Sequence, residues 1–225
     1  MIHVGLDGTR KGWVAVRLDG STRELCFYSG IAGLLRQKFD RARVDMPIGL
    51  PDAGERACDL AARTMLKPHA SRVFTGARRG LWDFPSHAAA NHALRARGEA
   101  AVSIQLWHLG KKICELDALM TPRLQAKIRE AHPELVFLRL NGGVPLPSKH
   151  TEHGLRLRHK LLRAAGFREL DRWLMVGRKG MGATPDDILD ACALAVAARD
   201  LDSRRVLPRG RASKDARGLK MQIWY

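Results

Sequence analysis

Short apolar runs separated by turn residues make up the first part of the chain. Ile2 to Leu6, Gly12 to Leu18 and Glu24 to Tyr28 have the length and alternation of strands, and Asp7 to Gly12 and Asp19 to Ser21 are the turns between them. Because these connections are short, the three strands are predicted to form an antiparallel meander.

A helix and further strands are predicted after this meander. Ile31 to Phe39 has the pattern of a short helix, and Ala42 to Met46 that of a brief strand. A fifth strand is predicted around Gln125 to Glu130, followed by a loop from Ala131 to Glu134. The last residues, Leu219 to Tyr225, alternate like a final edge strand.

The middle of the chain is predicted to be a helical insertion at about residues 52–122. Apolar stripes at helical spacing cover residues 54–66, 86–97 and 102–119. A chain of 225 residues is long enough to bury one substantial core. We therefore interpret residues 1–225 as a single domain that contains this insertion.

Two helices are predicted in the last third of the chain. The first covers residues 151–165. The second begins with Thr184 as the N-cap, Pro185 at the first helical position and Asp187 three residues after the cap. An Ala-rich segment then continues this helix to about Asp200.

The composition adds a strong positive charge to this outline. Lys and Arg number 39 against 23 Asp and Glu, a formal charge of +16 at pH 7. Such a surface attracts polyanions, so DNA or RNA is the expected partner, with a merely solvated basic surface as the alternative. Aromatic residues make up only 6% of the chain, so readout of sequence by base stacking is not expected.

Cysteine usage and hydropathy exclude several other classes of protein. The cysteines lack the close pairs of a zinc site or a redox motif, and buried free thiols are expected. An acid at position 7 comes too early for a signal peptide, and no apolar run approaches the ~18 residues of a membrane span. We expect a cytoplasmic protein without a membrane partner.

Asp7 and Asp45 each stand at the end of a predicted strand. Alternation places Asp7 with His3 and Gly5 on one face of the first strand. Asp45 interrupts an apolar run, where a buried carboxylate needs a cation, an arginine or strong hydrogen-bond donors. The alternatives are a turn role for Asp7 and, for Asp45, a salt bridge to an arginine such as Arg43.

The helix that begins at Thr184 carries a second group of acids. Asp187 and Asp190 are three residues apart and Asp186 and Asp190 four apart, so either pair shares a helix face that could chelate a cation. Helix capping explains Asp186 and Asp187 equally well. Asp190 lies in the second turn among apolar residues, where helix stability gives no reason for an acid.

Several acids from separate parts of the chain predict a site for Mg²⁺ or Mn²⁺. These cations prefer oxygen ligands and relieve the repulsion among carboxylates. One cation activates the attacking water, and a second, ~4 Å away, stabilises the leaving oxygen of a phosphodiester. We predict Asp7, Asp45, Asp187 and Asp190 as metal-binding and catalytic residues. Glu130, at the end of the predicted fifth strand, is a secondary candidate, ahead of Glu134 in the loop that follows; solvated acids are the alternative for both.

The chain resembles, nearly from end to end, the family called domain of unknown function 429, which is grouped among predicted ribonuclease H-like nucleases. The residues that carry the resemblance are Gly5-Leu6-Asp7-Gly8 with Gly12-Trp13, Asp45 to Pro51, Arg56, Cys58-Asp59, Arg63, Glu130 to Glu134, Lys149 with Gly154, and Asp186 to Ala191.

The resemblance implies an α/β fold of the ribonuclease H-like kind, a mixed sheet whose later strands are parallel, with helices on both faces. Asp7 would match the acid of the first strand, and Asp45 an acid at the end of a central strand. Asp187 to Ala191 also resembles the last active-site helix of RuvC-type resolvases. Ile31 to Phe39 has no acid where ribonuclease H proper carries a Glu, which favours a RuvC-like layout.

Three basic residues are candidates for contact with substrate phosphates. Arg56 and Arg63 are seven residues apart on one predicted helix with Asp59 between them, a spacing that fits a phosphate contact or a row of ion pairs. Lys149 lies in a predicted loop, where it contacts a scissile phosphate or is simply exposed.

The leading functional hypothesis is a metal-dependent nuclease that hydrolyses DNA or RNA. An actin-like phosphotransferase or ATPase is a second hypothesis, but Asp7-Gly8-Thr9 lacks the spacer residue of that motif. Nor does Gly177 to Gly182 follow a clear acid-bearing strand, as a second phosphate loop would. The third hypothesis is a nucleic-acid-binding protein without catalytic activity, whose acids only stabilise the fold.

Overall fold

The computed structural model describes residues 1–177, 182–200, 202 and 204–225. Most of the Gly177 to Gly182 stretch, weighed above as a phosphate loop, therefore lies outside the described residues. The chain divides into two compact units. The first contains Met1–Met46, Lys127–Arg205 and Trp224–Tyr225, and the second contains Pro47–Ala126 and Val206–Ile223. The insertion predicted at about residues 52–122 falls inside the second unit.

A five-stranded mixed sheet forms the centre of the first unit. Its strands are β1 (Ile2–Thr9), β2 (Gly12–Asp19), β3 (Thr22–Tyr28), β4 (Arg41–Val44) and β5 (Ile128–Glu130). Their order is β3-β2-β1-β4-β5, with β1, β2 and β3 antiparallel and with β4 and β5 parallel to β1. This arrangement confirms the predicted α/β class with an antiparallel meander followed by parallel strands, as in ribonuclease H-like proteins.

Helices flank the sheet and fill the second unit. They are α1 (Ile31–Leu35), α2 (Ala57–Met65), α3 (His87–Ala96), α4 (Ile104–His108), α5 (Gly110–Leu119), α6 (Pro122–Gln125), α7 (Pro133–Leu140), α8 (Glu152–Ala164), α9 (Leu170–Gly177) and α10 (Pro185–Arg199). Two very short strands, β6 (Val206–Leu207) and β7 (Ile223–Trp224), pair with each other. Among the described residues, no helix combines the length and apolar character that a membrane crossing requires.

The central helix of the first unit is α10. Every residue from Ile188 to Ala198 is buried, which is typical of a helix enclosed on all sides rather than one lying on a surface. The helix packs against β1, β2, β4, α7 and α8. Its many alanines allow this close packing, because a small side chain lets neighbouring backbones approach.

Several predicted boundaries differ from the structure. The predicted loop from Ala131 to Glu134 is instead the start of α7, whose first residue is Pro133. Its following residues are apolar on all sides and buried, so they lack the amphipathic stripe that would reveal a helix. The single helix predicted at 102–119 is two helices, α4 and α5, and the final strand is only Ile223–Trp224.

Candidate functional site

Two of the predicted acids lie side by side on neighbouring parallel strands. Asp45 directly follows β4, whereas Asp7 is inside β1, which continues to Thr9 instead of ending at Leu6 as predicted. β1 pairs with β4 so that Leu6 is opposite Val44, and the backbone N–H of Asp45 donates to the carbonyl of Leu6 at 3.1 Å. This extends the register by one residue, so Asp7 and Asp45 are opposite each other. Because side chains alternate along a strand, both lie on the face of the sheet that Gly5 also occupies.

Close packing of α10 against β1 brings the second group of acids to the same face. A Cβ atom placed on Gly5 would be 2.1 Å from the carbonyl oxygen of Ala191 and 2.2 Å from the backbone N of Ala195. Only a glycine allows this approach of strand and helix. Asp190 precedes Ala191 in the chain, so the contact fixes its carboxylate near that of Asp7.

The start of α10 is held by a capping box. The Thr184 hydroxyl accepts from the backbone N of Asp187 at 3.4 Å, and the Asp187 carboxylate accepts from the backbone N of Thr184 at 2.7 Å. The Thr184 hydroxyl also donates to Asp186 at 2.5 Å. Both first-turn acids therefore stabilise the helix end, as the capping interpretation predicted, while Asp190 has no part in it.

The electrostatics show that the acids share one environment. Burial raises the pKa of Asp7 well above its usual range, and the charges of Asp45, Asp190 and Asp187 raise it further. Burial likewise raises the pKa of Asp45 and Asp187, and it raises that of Asp190 to about 6. We call Asp7, Asp45, Asp187 and Asp190 the aspartate cluster; it unites acids from β1, the end of β4 and α10.

Lys149 supplies a positive charge to the aspartate cluster. Its ammonium donates to Oδ2 of Asp190 at 2.7 Å and lies 3.3 Å from Oδ2 of Asp186. Burial alone would lower the pKa of Lys149, but the charges of Asp190, Asp186 and Asp7 outweigh it and raise that pKa. The other oxygen of Asp190, Oδ1, is buried and has no hydrogen-bond partner among the described residues.

The loop that carries Lys149 is fixed to the start of α8. A Cβ atom on Gly154 would be 2.0 Å from the carbonyl oxygen of Ser148, so the helix backbone lies directly on the loop. The Thr151 hydroxyl donates to the same carbonyl at 2.8 Å. The buried guanidinium of Arg158 donates to the carbonyl of Pro147 at 3.0 Å. These contacts of Thr151, Gly154 and Arg158 with Pro147 and Ser148 therefore set the position of the next residue, Lys149.

Sequence reasoning ranked Glu134 below Glu130 and did not identify Arg158, and these two residues form an ion pair next to the cluster. Arg158, fully buried, donates to both carboxylate oxygens of Glu134, at 2.6 and 2.9 Å. The Glu134 charge raises the pKa of both Asp45 and Asp190, while His132 lowers that of Asp45. The Glu-x-His-Pro-Glu motif was a signal for Glu134 and His132, but nothing local to Arg158 indicates its role.

Glu130 lies on a different face of the sheet from the aspartate cluster. It is opposite Val44 in the register of β4 and β5, and Val44 in turn is opposite Leu6. Its side chain therefore belongs to the face of Leu6 and Val44, not to that of Asp7 and Asp45. The structure does not bring this secondary candidate together with the other acids.

Arg56 and Arg63 belong to the second unit and have partners within it. The Arg56 side chain is fully buried, 3.4 Å from Asp59. Arg63 donates to the carbonyl of Val73 at 3.0 Å. Arg56 therefore forms an ion pair, although a buried one, whereas this contact of Arg63 is with a backbone carbonyl and not with Asp59.

The cluster fits a divalent cation in the chemistry of its donors. Its ligands would all be carboxylate oxygens, as Mg²⁺ and Mn²⁺ prefer, and the unpartnered Oδ1 of Asp190 would gain a partner. In the described part of the chain, however, no set of three or more His, Cys, Asp or Glu side chains is arranged to hold a metal ion. In this structure, the ammonium of Lys149 neutralises part of the negative charge of the aspartate cluster.

Comparison with known proteins yields one family. The model of a family described as protein of unknown function (DUF429) matches residues 5–212. No curated protein and no solved structure matches the chain.

Proposed function

Because the chain belongs to the DUF429 family, whose name assigns no activity, we propose its function from the chemistry of the aspartate cluster: metal-dependent hydrolysis of phosphodiester bonds in DNA or RNA. Water adds to phosphorus and the bond to one ester oxygen breaks, leaving a phosphate monoester and a hydroxyl group. The family assignment itself carries no statement about activity, so the proposal depends on the site.

The observation that carries the proposal is the gathering of like charges on one face of the sheet. Asp7, Asp45 and Asp190 come from distant parts of the chain; the charges of Asp45 and Asp190 raise the pKa of Asp7, and the charge of Asp45 also raises that of Asp190. Placing carboxylates together in a buried site costs stability unless a cation or protons compensate. A site that retains such repulsion is typical of function rather than of fold maintenance.

The proposed division of labour follows from the positions of the residues. Asp7, Asp45, Asp187 and Asp190 would hold Mg²⁺ or Mn²⁺. When bound, the cation supplies Lewis acidity toward the attacking water and the phosphate oxygens. The net charge of +16 would attract the nucleic-acid backbone and retain it long enough for reaction.

Cleavage assays with defined substrates test this proposal. The purified protein is incubated with MnCl₂ or MgCl₂ and labelled single-stranded, duplex and branched DNA or RNA. We expect cleavage that EDTA abolishes. Asp7→Asn and Asp190→Asn should each reduce its rate by about 100-fold or more, the scale of losing a group that acts in the transition state.

The matched control is Asp19→Asn, which removes an acid that is exposed at the end of β2. This variant should cleave at the wild-type rate. If cleavage is absent under all metal conditions while nucleic acid still binds, the chain is a binding protein without this activity. If Asp7→Asn and Asp190→Asn cleave normally, the aspartate cluster is not the active site.

A further inference from the structure

We propose that Lys149 is a built-in counter-ion of the aspartate cluster, which a divalent cation must displace before the site becomes competent. This inference rests on the proposed function and names the step that controls metal binding. Its basis is the position of the ammonium, 2.7 Å from Oδ2 of Asp190 and 3.3 Å from Oδ2 of Asp186.

The ammonium and a metal ion would compete for the same carboxylate. Asp190 is 3% exposed, and its two oxygens are unequal: Oδ2 accepts from Lys149, while the buried Oδ1 has no partner among the described residues. A divalent cation and an ammonium bound to the same carboxylate repel each other, because both are positively charged. Metal binding therefore requires Lys149 to move, or to weaken its contact with Asp190.

The surroundings keep Lys149 in place when no metal is present. Its loop is held through Ser148 by Gly154 and Thr151 at the start of α8, and through Pro147 by Arg158. An arrangement this firmly held is not the chance position of a surface lysine. It places a positive charge beside Asp190 and Asp186, which partly offsets the repulsion among the acids.

The side chain of Lys149 can move without unfolding this support. The fixed contacts of the loop involve the backbone carbonyls of Pro147 and Ser148, whereas the Lys149 side chain is 31% exposed. Its ammonium therefore has a path to solvent. Once released, it is available to the anionic phosphate that the proposed reaction requires.

Manganese binding by Lys149→Met is the first test, with titration calorimetry of the metal-free protein as the measurement. We expect the dissociation constant for Mn²⁺ to fall by about tenfold or more relative to wild type, because the competing cation is gone. In EDTA, the variant should melt several degrees lower, since Asp190 loses its partner, and MnCl₂ should restore most of that loss.

The control is Lys160→Met, which removes an exposed lysine from α8. It should bind Mn²⁺ as wild type does. An unchanged or higher dissociation constant in Lys149→Met, with Mn²⁺ binding intact in wild type, would overturn this inference and leave the cleavage proposal standing. Absence of Mn²⁺ binding in wild type and variant alike would overturn both.

A measurement on the wild-type protein keeps the inference testable if Lys149→Met does not fold. Acylation of lysines by an amine-reactive reagent, read by peptide mass spectrometry, reports how available each ammonium group is. We expect MnCl₂ to increase the modification of Lys149 several-fold and to leave Lys160 unchanged. Equal modification of Lys149 with and without MnCl₂ would show that the metal does not displace it.

Discussion

At the scale of single residues, the acids of the aspartate cluster lower the stability of the fold and supply the ligands for the proposed cation. Asp7 is buried among other carboxylates, and its Oδ1 accepts a hydrogen bond from the backbone N of the next residue, Gly8, at 2.7 Å. An asparagine can accept the same bond without adding a negative charge. The aspartate is thus the less stable choice at neutral pH, which fits a residue retained for its ability to bind a cation.

We expect Asp7→Asn to stabilise the metal-free protein at pH 7 by about 1 kcal/mol, because one buried like charge is removed. The raised pKa means that the native state holds its proton more tightly than the unfolded chain. Wild-type stability from this group is therefore greatest at low pH and falls as pH rises above the ordinary aspartate value of about 3.9. The advantage of the variant should disappear near pH 4.

Urea unfolding in EDTA at pH 4, 5.5 and 7 measures this difference. Asp190, whose native pKa is raised to about 6, contributes in the same direction over that interval. Asp19→Asn, at an exposed position, should change the free energy of unfolding by less than about 0.5 kcal/mol at every pH. Destabilisation by Asp7→Asn at pH 7 would mean that favourable partners, not repulsion, dominate around this residue.

At the scale of elements, the contact between β1 and α10 assembles the site. The strand supplies Asp7 and the helix supplies Asp187 and Asp190, and Gly5 lets the two backbones meet. Because the same contact forms part of the core, the geometry of the acids is fixed by packing rather than by their own attraction. The free energy of core packing offsets the repulsion between the acids.

Gly5→Ala tests this contact. Its Cβ would be 2.1 Å from the carbonyl oxygen of Ala191, so the helix must shift. We expect a loss of about 3 kcal/mol in the free energy of unfolding, at the upper end of the usual cost of overpacking. Thermal or urea unfolding measures it, with Ser21→Ala in the exposed turn after β2 as the control. Wild-type stability in Gly5→Ala would show that the strand and helix have room to adjust.

Local signals in the sequence predicted most elements of the first unit. Alternation predicted β1 to β3, and the Thr184 capping box predicted the start of α10, because both depend on neighbours in the chain. The start of α7 was missed, since its residues are buried on all sides. The pairing of Lys149 with Asp190 joins residues 41 apart in the sequence, and no local pattern could indicate it.

The candidate site was likewise predicted only in part, because local signals indicate some of its residues and not others. The end of a strand indicated Asp45, and an acid in an apolar helix indicated Asp190. Asp7 was also predicted at a strand end, but β1 continues past it to Thr9. The face of the sheet on which Glu130 lies depends on the register of β4 and β5, which a strand of three residues does not reveal. Arg158 looks like one more basic residue on a basic helix until its burial against Glu134 is known.

At the scale of the whole molecule, charge is the property with the widest consequence. A formal charge of +16 creates a positive potential that extends beyond any single side chain. The aspartate cluster is a negative site within this positive chain. Under the proposed function, the positive potential of the chain attracts the nucleic acid, and the negative aspartate cluster binds the cation that promotes its cleavage.

Binding of nucleic acid should therefore depend steeply on salt. For about four phosphate contacts, the affinity for a labelled duplex should fall about 100-fold between 50 and 200 mM salt. Fluorescence anisotropy with wild-type protein and EDTA measures binding apart from cleavage, and a neutral polymer serves as the control. An affinity that stays constant over this range would exclude the positive surface as the binding element.

Because α10 is enclosed on all sides, residues cannot be inserted within it without moving the acids that it carries. One residue advances a helix by about 100°, so a single insertion between Asp187 and Asp190 would turn the second acid away and bring an apolar neighbour into its place. Insertions in the loops before Thr184 or after Asp200 would carry no such rotation. We therefore expect related chains to differ in those loops and to keep a constant interval within this helix.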